Sequence, residues 1–115
     1  MAPGLAGGTP DSSRIAARWD EALAYWEDHG IGPLLRAARA SDRLARWYPY
    51  VTHGYLVRLM AKELDKSADQ VFIERHADGT CEMTVSWSDE RQAGLTEDEA
   101  VAAAEAAVTR RHPSP

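Results

Sequence analysis

Apolar residues change their spacing at Pro49, and that change limits the architecture more tightly than any other feature of the chain. Ahead of it Ile15, Trp19, Leu23 and Trp26, with Ala22, recur at three and four residues, the repeat of a helix with one buried stripe. Beyond it Tyr55, Val57 and Leu59 alternate with Gly54, Leu56 and Arg58, the repeat of a strand with one buried face. Helices gathered ahead of strands give an α+β fold rather than alternating βαβ units. The chain's 115 residues suffice for one core and not for two.

Punctuation refines the helices. The first opens at Pro10 or Asp11 and closes at His29-Gly30. Gly32-Pro33 starts a second with Leu34, Leu35 and Ala38 on its apolar face, because proline suits a first helical turn. Ser41-Asp42 caps a short third helix carrying Leu44 and Trp47. Near the other end Thr96 and Glu99 form a capping box. The helix it starts buries Ala100, Val101, Ala104, Ala107 and Val108. Residues 1–10 hold three glycines and two prolines and read as a flexible leader, residues 11–112 as a single domain, and residues 113–115 as a tail.

Three strands are expected: one around residues 55–59, a second over 70–77 and a third over 80–87. Asp78-Gly79 signals a two-residue type I′ turn, which pairs Arg75 with Glu82 and Glu74 with Met83. Phe72, Cys81, Met83, Val85 and Trp87 then share the buried face, and Glu74 and His76 point the same way. A bulged turn would instead set Glu74 against Glu82, two like charges, and is disfavoured. The expected architecture is a three-stranded antiparallel β-meander with N-terminal helices and a C-terminal helix packed on one face.

Composition removes several function classes. Lys+Arg total 13 against 18 Asp+Glu, a net charge of −5, so the dominant positive field of a nucleic-acid binder is missing. No apolar run approaches the ~20 residues of a membrane span, and the first ten residues lack the basic start of a secretory signal. With Cys81 the single cysteine, no internal disulfide forms, which fits a cytoplasmic setting. CxxC and HExxH are absent, so no metal site is expected. The glycines of the leader precede no strand, so no nucleotide loop and no cofactor are expected either.

Chemistry concentrates at the junction of helices and strands, where Trp47, Tyr48, Pro49, Tyr50, Thr52, His53 and Tyr55 follow one another closely. Imidazole titrates near neutral pH, which makes His53 the natural acid, base or ligand of the group. By parity His53 joins Glu74, His76 and Cys81 on the covered face, and a buried carboxylate needs such a partner. His53 and Glu74 are the candidate catalytic pair. Tyr48, Tyr50, Thr52, Tyr55, His76, Cys81 and Trp87 are candidate ligand contacts. Packing explains the junction aromatics better than function does, because such aromatics usually plug a sheet end. Cys81 beside His76 lacks a recognisable nucleophile turn. An exposed Trp19, Trp26 or Trp47 beside an arginine would instead mark a partner surface.

The run Tyr48-Pro49-Tyr50-Val51-Thr52-His53 resembles the signature of a family of small uncharacterised proteins labelled natural-product biosynthesis proteins. Tyr48, Pro49, Tyr50, Thr52 and His53 match its pattern position by position. The similarity extends from about Trp19 through the final helix. Relatives carry prolines and aromatics after the first strand, whereas residues 61–69 are polar here, so no ligand contact from that loop is carried over. The resemblance implies a role in making or handling a secondary metabolite and assigns no catalytic residue. The expectation is a cofactor-independent accessory protein, monomer or homodimer, binding a biosynthetic enzyme or a small-molecule intermediate. A small isomerase, cyclase or hydrolase using His53 is one alternative, and a self-protection protein that sequesters the product is another.

Overall fold

Residues 10–113 are described by a computed structural model, so residues 1–9 of the leader expected over 1–10 and residues 114–115 of the tail expected over 113–115 lie outside the described residues. Helix α1 spans Pro10–Trp26, α2 spans Gly32–Arg39, and α3 spans Glu97–Arg111. The short helix expected after Ser41 is a single 3₁₀ turn, Leu44–Arg46; its N-cap is Arg43, without a side-chain capping bond, and the Ser41 hydroxyl accepts from the Leu44 amide at 3.3 Å. Both halves of the capping box are made: the Thr96 hydroxyl accepts from the Glu99 amide, and the Glu99 carboxylate from the Thr96 amide. The predicted apolar residues of α3 are its buried ones.

The sheet is a five-stranded antiparallel meander in the order β1 (Tyr48–Thr52), β2 (Leu56–Met60), β3 (Gln70–Arg75), β4 (Cys81–Val85) and β5 (Arg91–Leu95). This corrects the three-stranded expectation at two places. His53 (φ 58°) and Gly54 (φ 78°) both adopt left-handed backbone and reverse the chain, so two short strands lie where one was read. Pro49 is tolerated in β1 because β1 is an edge strand, where a missing N–H costs no ladder bond. Strand β5 carries no apolar alternation, since Arg91, Gln92, Ala93 and Gly94 are all exposed.

The helices cover one face of the sheet. Val57, Leu59, Val71, Ile73, Cys81 and Met83 meet Leu34, Leu35, Ala104 and Ala107 in one dry cluster. Each large side chain buried there contributes roughly 1.5–3 kcal/mol. Trp19 lies inside this core, its indole N–H donating to the Ala45 and Trp47 carbonyls, each at 3.1 Å. Gly32 allows α2 to start against α1, since a Cβ there would sit 2.3 Å from the Glu27 carbonyl oxygen. Helices and sheet thus meet in a packed interface.

Candidate functional site

The turn joining β3 to β4 decides which side chains can meet. His76 pairs with Thr80 across three loop residues, 77–79, with the His76 amide donating to the Thr80 carbonyl at 2.8 Å and the Gly79 amide to the His76 carbonyl at 2.9 Å. Gly79 (φ 90°) takes the left-handed position, and the Asp78 carboxylate accepts from the Thr80 amide and hydroxyl at 2.9 and 2.7 Å. The register is therefore the bulged one, pairing Glu74 with Glu82 and Arg75 with Cys81. Val71 and Ile73 turn inward, whereas Phe72 stands on the outer face beneath the Arg58 guanidinium, 5.8 Å away.

This one-residue slip reverses the expected parity. Glu74 lies on the outer face, and Arg75 lies on the helix side, where its guanidinium donates to Glu97 at 3.2 Å. The like-charge pairing of Glu74 and Glu82 is tolerated because β5 supplies Arg91, which grips Glu82 through two hydrogen bonds of 2.7 and 3.1 Å. That grip holds the Glu82 carboxyl below its usual range.

The proposed convergence of His53, Glu74, His76 and Cys81 does not form. His53 stands exposed on the β1–β2 turn, its ring stacked on Tyr55 with centroids 5.8 Å apart. His76 turns to the outer face, 3.9 Å from Glu82. Cys81 is fully buried under the helices, and burial, then the Glu97 charge, pushes its thiol pKa up. A buried thiol without a base is inert. Tyr55, Glu74 and His76 do line one open depression of about 380 Å³. Tyr48 is buried, Thr52 is half-buried on β1, and Trp87 lies in another cluster. Among the described residues, no group of three or more His, Cys, Asp or Glu is placed to hold a metal ion.

That other cluster escaped the sequence reading. His112 follows the end of α3 with its Nε2 2.8 Å from Asp69, and Arg111 donates to the same carboxylate at 3.0 Å. Its ring lies 5.8 Å from Trp47 and 6.5 Å from Trp87, and Arg111 covers Trp87 at 5.6 Å. Arg111, and after it His112, holds Asp69 below the usual carboxylate range. The arrangement ties the end of α3 to the β2–β3 loop. The pairing of a lone loop aspartate with the last helical residues is long-range and leaves no local sequence signal.

The largest change from expectation lies at the free edge of β1. A groove of about 420 Å³ runs between that strand and α1, lined by Arg18, Glu21, Ala22, Tyr25, Trp26, Pro49, Tyr50 and Val51. Trp26 closes one end by packing on Gly54, where a Cβ would meet its ring at 3.3 Å. Tyr25 stacks on His29 and meets Trp26 edge-on. Glu63 accepts from Arg14 at 2.8 Å and from Arg18 at 2.7 Å, tying the β2–β3 loop to α1. These two hydrogen bonds lower the Glu63 pKa. The next residue, Leu64, is left-handed (φ 56°) and 71% exposed. Burial raises the pKa of Tyr50, whose hydroxyl is shut in beside the Leu64 backbone without ordinary hydrogen-bond geometry.

Tyr25 and Tyr55, at 67% and 45% exposure, join Leu64 as the large apolar residues exposed among the described residues. Tyr25 lines the groove, Tyr55 adjoins the turn against which Trp26 packs, and Leu64 follows the glutamate clamped to α1. Of the three tryptophans considered for a partner surface, Trp19 and Trp47 are core residues, and only the half-buried Trp26 reaches this edge.

No helix among the described residues is long and apolar enough to cross a membrane. Neither the curated proteins nor the solved structures contain a match to the chain. A family described as "Family of unknown function (DUF6193)" matches residues 13–113, from within α1 to past the end of α3. The chain belongs to that family.

Proposed function

We propose that the protein is a small accessory protein of natural-product biosynthesis, holding a biosynthetic partner or intermediate along the β1 edge. One observation carries the binding role: the exposed Tyr25 lines the groove between α1 and β1, with the exposed Tyr55 next to the turn on which Trp26 packs and the exposed Leu64 next to the Glu63 that Arg18 holds. Scattered singly they would need no explanation, but a grouped set on a polar surface is the mark of a contact site. Leu64 adds weight, because left-handed backbone at a leucine costs about 1–2 kcal/mol and survives only where neighbours impose it. The biosynthetic setting rests on the Tyr48-Pro49-Tyr50 and Thr52-His53 resemblance. An acid–base role for His53 has less support, since its ring stacks on Tyr55 while Glu74 faces Glu82.

Gene replacement in the producing strain tests the proposal. Tyr25→Ser, Tyr55→Ser and Leu64→Ser together should reproduce the metabolite profile of a deletion while the purified variant keeps its circular dichroism. His53→Ala with Glu74→Gln should leave production unchanged. The opposite pattern would move the function to acid–base chemistry.

A further inference from the structure

We propose that the face of the sheet turned away from the helices is a self-complementary interface through which two copies of this chain associate. It is separate from the contact site at the β1 edge. Two rows of half-buried side chains lie on it: Thr52, Leu56, Glu74 and Glu82 in one, Tyr50, Arg58, Phe72 and Thr84 in the other. Two charges in these rows lack a counter-charge. Arg58 pairs with no carboxylate among the described residues: its Nη2 donates to the Gln70 side chain at 3.0 Å, its Nε is buried without a partner, and the Phe72 ring lies under its guanidinium. Gln70, only 4% exposed, donates in turn to the Lys66 carbonyl at 3.1 Å, so the guanidinium is held in place before any partner arrives. Glu74 makes no hydrogen bond or ion pair among the described residues. Arg91 acts on it only through space, because the hydrogen bonds of Arg91 go to Glu82.

The β2–β3 register sets Leu56 beside Glu74 and Arg58 beside Phe72. These four side chains form a quadrilateral with one apolar diagonal, Leu56–Phe72, and one charged diagonal, Arg58–Glu74. A two-fold axis along the apolar diagonal, lying between two facing sheets, exchanges the ends of the charged one. Standard strand and same-face spacings then bring Arg58 of each copy to within about 3 Å, in projection, of the point opposite Glu74 of the other. Leu56 meets its own counterpart on the axis, and so does Phe72. Strands of the two sheets cross at roughly 70°, near the orthogonal class of sheet packing. An unrelated partner would have to supply both charges at the right separation, whereas a second copy supplies them by symmetry. The two rows span roughly 19 Å by 14 Å, which is small for an obligate interface and fits a weak, reversible dimer.

Sedimentation equilibrium of the full chain, carried up to about 1 mM, reads the association and should show monomer and dimer in exchange. Arg58→Glu and Glu74→Arg should each weaken it about tenfold, because like charges then face each other, while circular dichroism and urea midpoints report that each variant folds. An equimolar mixture of the two variants should associate again, since the carboxylates of one face the guanidiniums of the other. Crosslinking tests the axis without altering either charge. Cys81 is buried, so a short bismaleimide should join two copies of Leu56→Cys and spare Ser88→Cys, whose thiol would sit on the exposed β4–β5 loop. A parent chain that stays monomeric over the whole range, a mixture that associates no better than its components, or equal crosslinking at residues 56 and 88 would overturn the interface. A monomeric parent whose charge variants nevertheless alter the metabolite profile would assign this face to a different protein and overturn self-association.

Discussion

Arg14 and Arg18 approach Glu63 from α1, and the carboxylate they hold fixes the neighbouring Leu64 in its outward, left-handed pose. The pairing lowers the Glu63 pKa below its unfolded value, so its contribution is complete above the ordinary glutamate range and is lost as pH falls through the lowered pKa. Hydrogen exchange of the loop amides should accordingly rise in that acid window. Glu63→Gln should show the faster exchange already at neutral pH, without the step; unchanged exchange in the variant would remove the clamp. Gly32→Ala is a second residue-scale test. Its Cβ would collide with the Glu27 carbonyl, and denaturant unfolding should show a loss of about 1–3 kcal/mol. The Gly32-Pro33 start and the Thr96–Glu99 cap were legible because each is a local rule. Leu64 was not, since an alanine-lysine-glutamate-leucine run carries no hint of left-handed backbone.

At the scale of elements, the reversed parity of β3 has one cause. The β3–β4 register was assigned by avoiding Glu74 against Glu82, and that repulsion is answered by Arg91 on a strand that a polar sequence concealed. With β5 unseen, the two-residue turn looks better, and every side chain of β3 takes the face opposite to the expected one, while Cys81, Met83 and Val85 of β4 are buried as expected. The competing preference was visible in outline: Val71 and Ile73 together bury more branched apolar surface than Phe72 alone, and they face the core. Arg91→Ala should leave Glu82 facing Glu74 unrelieved. Because Arg91 depresses the Glu82 pKa, the variant should be less stable at neutral pH, with the difference narrowing as pH falls through that pKa. Equal urea midpoints for variant and parent at neutral pH would show that the pair does not depend on β5.

On the whole-molecule scale the sheet has two free edges of different character. β5 exposes Arg91, Gln92, Ala93 and Gly94, with left-handed Gly94 and an irregular pairing to β4, features that discourage further pairing. β1 has α1 alongside and a groove between them that the exposed Tyr25 lines. The helical half of this layout follows from periodicity, but the groove depends on where β1 falls once the chain reverses at His53-Gly54, which a five-residue strand containing proline does not announce. The contrast between the edges gives the most direct measurement. A photo-crosslinking amino acid placed at residue 25, 64 or 92 and irradiated in the producing strain should give one common adduct from 25 and 64 and none from 92. An adduct from 92 alone, or equal adducts from all three, would contradict a contact site at the β1 edge.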